Sequence, residues 1–402
     1  MARIAFAWEL GGSYGHALAS ATLAHSLHAR GHRIALVFRE LHQLALLPES
    51  RDFEVFQAPR HGAEGLGRPR PDSFADILLG SGYASAADLT ALLGAWRSLW
   101  KEWKPDLVVA DFAPTALAAA RLLGIRRVTY GNGFFTPPRL DPLPPFRHDE
   151  PVTNEAVIAS DRQALASMNA AFAAFGAAPL ATLSQIFETD EDFICTFPEL
   201  DHYGSRPTSG YWGPRLRFDR GAEVDWPAGS GKRVFIYLQA NLPQLDGLMQ
   251  ALAASPHRVI TFIPGLDAAR GKRFEARHRI VADRPLRLDR LLNGCDLLVS
   301  HGGEIAAGAL MQGVPQLLFP THYEQYLLAR RMELLGAGVW IGPAAGAAVA
   351  VQGLEQMTAN PSFANAARAF AQRYPAYSPR EQRRRVVARI EQILAAPPIL
   401  PP

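Results

Sequence analysis

Asp296-Leu-Leu-Val-Ser-His301-Gly302-Gly303-Glu304 leads on to Gly313-Val314-Pro315 and then to Pro320-Thr-His-Tyr-Glu324-Gln325. Its first part is short, continuous and apolar, as a strand buried in a parallel sheet is. The chain then turns through His-Gly-Gly into Ile305-Ala-Ala-Gly-Ala-Leu310-Met, which has a helical composition. A Gly-rich turn between strand and helix offers backbone N–H groups at the positive end of a helix dipole, a favourable place for a phosphate. His301 would add a donor to the same phosphate. The plainer alternative is a tight turn capped by a histidine. Gly313-Val-Pro315 ends the helix, Gln316 to Phe319 reads as the next strand, and Glu324-Gln325 falls just past it. Ligands of open parallel sheets gather at the C-terminal ends of the strands. His301 and the Glu324-Gln325 pair therefore fall on one rim, phosphate donors beside hydroxyl binders.

Outward from this stretch, the same alternation repeats along the chain. Arg3 to Trp8 reads as a strand, Glu9 to Gly15 as a Gly-rich loop, and His16 to Arg30 as a helix stopped by Gly31. Arg33 to Phe38 is the next strand, and this strand–loop–helix–strand opening indicates a doubly wound α/β domain. The loop is neither a P-loop, having no Gly-Lys-Ser/Thr, nor a dinucleotide fingerprint, since its glycine spacing is wrong. Pro59 to Asp72 is rich in Gly, Pro and Arg and reads as a mobile loop. Ala86 to Trp103 is a helix, and Pro105 to Ala110 a buried strand with Asp111 directly after it. A helix from Pro114 and a strand at Arg126 to Tyr130 follow, with Phe134-Phe135 beyond that strand's end. Arg139 to Pro151 shows no regular element. Arg215 to Gly231 is polar and Gly-rich, as a linker is. A second α/β run starts at Lys232, with strands near Arg258 to Ile263, Arg279 to Ala282, Asp296 to Ser300 and Gln316 to Phe319. Ser378-Pro379-Arg380-Glu381 opens a last helix as a capping box with proline at its first position.

Composition narrows the function classes. A chain of 402 residues forms more than one domain. The net charge of +3 is spread along the sequence and leaves no nucleic-acid footprint. The two cysteines, Cys195 and Cys295, form no metal-type cluster and suit a reducing cytoplasm. Neither an export signal nor a membrane-spanning stretch is visible, which leaves only peripheral membrane contact open.

The central stretch resembles the C-terminal signature of the family-one glycosyltransferases of the GT-B fold, the class that includes macrolide and other natural-product transferases. Their pattern is roughly H-G-G-x-G-T-x-x-E-A-L…G-V-P…P…D-Q-x-x-N-A. His301, Gly302, Gly303, Ala309, Leu310, Gly313, Val314, Pro315, Pro320, Gln325 and Ala329 match it. One residue is missing after Gly303, the ribose-holding acid is replaced by Gly308, the aspartate is Glu324, and the asparagine is Leu328. Pro198-Glu-Leu-Asp201 and Gly213-Pro214 match further family elements. The resemblance implies two doubly wound Rossmann-like domains facing each other across a cleft. Residues 1–214 would bind the acceptor, 215–231 would link, 232–376 would bind the nucleotide sugar, and 377–402 would cross back as a helix.

Glycosyl transfer needs a base for the acceptor hydroxyl and dipolar or cationic groups for the leaving diphosphate. His16 opens a helix just past a strand, where the dipole disfavours the imidazolium. Asp111 follows a different strand at the same rim, so the two can meet as a base and its orienting carboxylate. The alternatives are a His that merely caps its helix and an Asp that caps the helix at Pro114. In the family a histidine and an aspartate in these places form a catalytic dyad. The resemblance thus implies an inverting, metal-independent hexosyltransferase with His16 and Asp111 catalytic. Donor contacts would come from His301, Gly302, Gly303, Glu304, Glu324 and Gln325. Acceptor contacts would come from Trp8, Tyr14, Phe112, Phe134 and Phe135. No cofactor is expected beyond the UDP- or TDP-linked co-substrate, and no Asp-x-Asp metal pair is present. The family's base-stacking aromatic is absent near Asp283 to Leu286. A nucleotide-sugar-binding protein that has lost transfer is the competing reading; a sugar-nucleotide epimerase or hydrolase shares the fold. An NAD-dependent enzyme is disfavoured by the first loop.

Overall fold

A computed structural model describes residues 1–12, 14–62, 71–146, 154–206 and 210–397. Most of the loop expected at Pro59 to Asp72, and the end of the stretch from Arg139 to Pro151, lie outside the described residues. By its internal contacts the chain divides into two compact units. One comprises Met1–Thr196, Arg206–Gly213 and Arg380–Pro402, the other Phe197–Ser205 and Pro214–Pro379.

The first unit is built on a six-stranded sheet of β1 (Arg3–Trp8), β2 (Arg33–Phe38), β3 (Glu54–Gln57), β4 (Leu107–Asp111), β5 (Arg126–Gly131) and β6 (Glu191–Ile194). All neighbours are parallel, in the order β3-β2-β1-β4-β5-β6. The order reverses direction between β1 and β4, which makes the C-terminal ends of these two strands the switch point. Trp8 and Asp111 sit there in register with each other. The sheet is buried on both faces, which is why β1, β2 and β4 read as continuous apolar runs rather than alternating ones. The last helix, Pro379–Ala395, places Val386, Val387, Ile390 and Ile393 in the core shared by Ile4, Phe6 and Leu27. Arg126 donates to the carbonyls of Ile393 and Ala396 at its end.

The second unit repeats the plan: β7 (Arg233–Tyr237), β8 (Arg258–Phe262), β9 (Arg279–Ala282), β10 (Leu297–Ser300), β11 (Gln316–Leu318) and β12 (Gly338–Trp340). The order is β12-β11-β10-β7-β8-β9, again all parallel. Its switch point lies between β7 and β10, so the turn His301-Gly302-Gly303 leaves the sheet at the place where a doubly wound fold takes its ligand.

The stretch read as a linker is in large part built into this unit. Arg215 and Leu216 are buried, the Phe218 ring packs on the core, and Ala222 pairs with Leu286 beside the sheet. Polar composition hid this, because the burial comes from a few residues spaced along a polar segment. Pro198-Glu-Leu-Asp201 also packs in the second unit, where Phe197 meets Phe370 and Tyr374, and Glu199 accepts from the Tyr374 hydroxyl.

Among the described residues no single helix is long and apolar enough to cross a membrane. The bent pair Phe74–Tyr83 and Ala86–Trp103 passes by length and composition alone, and its large residues, from Phe74 and Tyr83 to Trp96 and Trp100, are core.

Candidate functional site

At the first switch point the chain leaves β1 through Glu9-Leu10-Gly11-Gly12 and enters the helix Tyr14–His28, which carries His16 in its first turn. Asp111 is the last residue of β4. His16 Nδ1 lies 3.0 Å from Asp111 Oδ2, with both side chains almost sealed from solvent. The two groups are within hydrogen-bonding distance but without an aligned N–H···O geometry; contacts of this kind commonly tighten when a ligand is bound. The helix at Pro114 does not take Asp111 as its cap. Glu9, itself buried, receives the N–H groups of Thr115 and Ala116 at 2.9 and 3.4 Å. Asp111 is thereby not needed at that helix start and stays within reach of the imidazole.

Aromatic rings fix the imidazole on its other sides. Trp8 is stacked on it at 5.2 Å and 18°, held by its indole N–H donating to the Leu10 carbonyl. Phe135 lies at 4.9 Å. Phe112 stacks on Phe135 at 4.6 Å and meets Phe134 edge-on. Phe112 holds φ at +50°, unusual for a bulky residue, and its carbonyl accepts from Leu10 N–H. Backbone strain of this kind gathers at functional sites. Gly11, at φ +72°, keeps the far edge of the imidazole clear: a Cβ there would lie 3.6 Å from Nε2 and 3.1 Å from the Phe112 ring.

Of the residues expected to touch an acceptor, Tyr14 is exposed, Phe135 half-buried, Phe112 buried beside the histidine, and Phe134 buried against Phe112 and Phe135. Trp8 has no exposed surface, so it supports His16 from below and offers no wall of its own. An aromatic residue closing a strand looks the same in sequence whether it lines a cavity or floors one. Glu9 and Gly11 were not singled out by the sequence reading. A carboxylate directly after a strand at a switch point, and a glycine two residues further on, were the available signals.

At the second switch point β10 ends at Ser300, and Gly302 and Gly303 carry φ of +104° and +75° before the helix Glu304–Met311 begins. No atom would meet a Cβ at Gly303, so the approach to this helix start is open on that side. His301 does not play the expected part. Its Nε2 accepts the Gln239 backbone N–H at 2.8 Å, which fixes the proton on Nδ1, and Nδ1–H donates to the Phe319 carbonyl at 2.7 Å. Burial first of all holds this imidazole below its ordinary value, against the Phe319 carbonyl and with a small push from His322. A neutral ring with both nitrogens engaged has no donor for a phosphate. It ties β7 and the end of β11 to the turn. This corrects the reading of His301 as a phosphate donor.

The other donor residues are also engaged. Glu304 receives the Nε of Arg215 at 2.8 Å. Glu324 is buried, with Oε1 3.4 Å from His202 Nε2. Gln325 accepts from the N–H and hydroxyl of Thr321. Gly308, where the resemblance expected an acid, is filled from outside: a Cβ on it would lie 1.9 Å from Phe218 Cε2. Tyr237, at the end of β7, is the exposed aromatic on this rim and stacks on Phe262 at 5.7 Å. The described residues hold no group of three His, Cys, Asp or Glu side chains arranged for a metal ion.

Two doubly wound parallel units with ligand-type turns at both switch points define a GT-B architecture. The chain has the fold of the GT-B glycosyltransferases, and its residues 247–391 match the family described as Erythromycin biosynthesis protein CIII-like, C-terminal domain. The structure is similar to the glycosyltransferase SnogD from Streptomyces nogalater at 19% identity and a TM-score of 0.62, covering 96% of this chain and 99% of that one. It is similar to the spinosyn rhamnosyltransferase SpnG complexed with thymidine diphosphate at 17% identity and a TM-score of 0.67, covering 98% and 100%. The same enzyme complexed with spinosyn aglycone matches at 16% identity and a TM-score of 0.65, also covering 98% and 100%. No curated protein matches the sequence.

Proposed function

We propose that the chain is an inverting glycosyltransferase that moves a sugar from a UDP- or TDP-linked donor to a hydroxyl of a small, apolar acceptor. The observation that carries this reading is the imidazole of His16, backed by Asp111 at 3.0 Å, floored by Trp8, and cleared at Nε2 by Gly11. In the proposed step Nε2 takes the acceptor's hydroxyl proton. The oxygen attacks the anomeric carbon, and the bond from that carbon to the diphosphate breaks with its electron pair leaving on the diphosphate. Asp111 steadies the imidazolium so formed. The acceptor's apolar body would contact Phe112, Phe134, Phe135 and Tyr14. The Gly302-Gly303 turn and the N-terminus of the helix Glu304–Met311 would hold the diphosphate. Glu324 and Gln325 would reach the sugar hydroxyls after exchanging their present partners. The similarity to transferases bearing thymidine diphosphate and an aglycone supports both halves. With a helix end in the ion's place, turnover is expected to persist in EDTA.

A binding protein without transfer is the second reading. It is favoured by the closed hydrogen bonds of His301 and by Phe218 at Gly308. Thermal melts with UDP, TDP, GDP and their sugar conjugates come first; ligand at about a hundred times its dissociation constant adds about 2.7 kcal/mol. His16→Ala should then keep the ligand-induced shift and lose transfer to acceptor alcohols. Turnover retained in His16→Ala excludes this base, and binding without any turnover in the natural chain selects the second reading.

A further inference from the structure

We propose that Arg215 is the cation for the donor's diphosphate and that Glu304 holds its place while the site is empty. This deepens the reading above and rests on it. A leaving diphosphate needs positive charge, and His301, neutral and engaged at both nitrogens, supplies none. Arg215 is a guanidinium with only 3% of its side chain exposed, and it reaches the first residue of the helix Glu304–Met311. A cation buried against the positive end of a helix is doubly unfavourable unless an anion shares the place. Glu304 is that anion: its carboxylate takes the Arg215 Nε at 2.8 Å and remains 29% exposed, on the solvent side of the pair. A carboxylate and a phosphate oxygen present the same acceptor geometry to a guanidinium, and the phosphate carries more charge. A diphosphate arriving at the Gly303 turn would therefore take over Arg215, and Glu304 would turn out to water.

The geometry comes from the chain's own path. Arg215 belongs to the segment that runs on to Phe218, and Phe218 is seated against Gly308 one helical turn further along the same helix. That ring anchors the segment and fixes where the guanidinium can stand. The arrangement predicts opposite effects from the two ends of one ion pair. Arg215→Gln removes the diphosphate's partner, whereas Glu304→Gln removes its competitor. A pair that only fastened the segment to the helix would give the same direction from both.

The test is isothermal titration of the full chain with whichever of UDP, TDP and GDP stabilises it, and with the matching nucleoside. Arg215→Gln should weaken the diphosphate about tenfold or more and leave the nucleoside unchanged, and Arg215→Lys should fall between, since it keeps the charge and loses the fork. Glu304→Gln should tighten the diphosphate severalfold. Melting curves identify any variant that fails to fold; Arg215→Lys then carries the arginine arm. Diphosphate affinity unchanged in the arginine variants, or weakened alike in the arginine and glutamate variants, overturns the proposal alone. A natural chain that binds none of the three nucleotides overturns the donor reading and this inference with it.

Discussion

The seat of Phe218 on Gly308 can be tested by its sign. Gly308 lies inside the helix Glu304–Met311, where replacing glycine by alanine ordinarily stabilises by about 1 kcal/mol. Here the new methyl would stand 1.9 Å from Phe218 Cε2 and 2.4 Å from Cζ, against an ordinary contact of at least 3.4 Å. The ring must retreat by about 1.5 Å or leave its place. Overpacking of this kind costs about 1 to 3 kcal/mol. Full ejection of the ring costs no more than its burial, about 1.5 to 3 kcal/mol. Gly308→Ala should therefore destabilise the natural chain by about 1 kcal/mol net, the clash outweighing the propensity gain. In a Phe218→Ala background the clash is gone, and the same substitution should stabilise by about 1 kcal/mol. Urea unfolding of the four proteins gives the coupling, expected near 2 kcal/mol and well outside the scatter of about 0.5 kcal/mol for independent sites. If Gly308→Ala stabilises both backgrounds equally, the ring is not seated there. By the same geometry Gly308→Glu cannot restore an acid at this position unless Phe218 is shortened as well.

Three further outcomes are expected. The folded chain keeps His301 neutral through burial, so its ionisation lies below the ordinary 6.5. As pH falls through that value the unfolded chain takes up a proton that the folded one refuses, so stability is lost until the folded value is reached. Urea midpoints followed downward from neutral pH should fall less steeply in His301→Gln, and identical slopes would contradict the assignment. Asp111→Asn should lower kcat far more than it changes donor affinity, because the carboxylate steadies the imidazolium only in the reaction; equal loss in both would make it a folding residue. Cys295 is buried, its thiol donates to the Leu297 carbonyl, and burial pushes its ionisation up to about 12. It should resist alkylation in the native chain near neutral pH and react on unfolding, as read by peptide mapping.

The fold was readable because its signals are local. β1, β4, β7 and β10 are continuous apolar runs, paired glycines begin within three residues of the ends of β1 and β10, and Pro379 with Glu381 marks the start of the last helix. The rim positions of His16 and Asp111 followed from the same rule, since a residue after a strand lands at a predictable end of the sheet. What the sequence concealed comes from distant parts of the chain. The state of His301 is set by a backbone N–H at Gln239 and a carbonyl at Phe319, groups that every residue carries and no composition reveals. Phe218 and Gly308 are 90 positions apart, and only the built structure shows that one fills the space the other lacks. Trp8 was expected as an acceptor wall and is instead buried beneath the His16 ring, because burial below a ring and exposure beside it share one sequence pattern.

The departures in the helix Glu304–Met311 bear on whether the second unit still holds a nucleotide. A motif that decays after losing its ligand leaves hollows and unmatched charges. Here the change at Gly308 and the carboxylate at Glu304 are each answered by a partner. The acid missing at Gly308 is met by a ring that fills the space to contact distance, and the carboxylate at Glu304 is met by a buried guanidinium. Both partners come from one short segment, Arg215 to Phe218, which packs along this helix. A buried arginine beside a helix N-terminus is tolerated here because the Glu304 carboxylate shares the place. If the turn holds a nucleotide as proposed, the Phe218 ring stands where the resemblance put a ribose-binding acid. That exchange should select for donors whose nucleoside presents fewer hydroxyls at this point. A preference for TDP over UDP is the expected result of the first titration, and equal affinity for the two would show that Phe218 does not face the ribose.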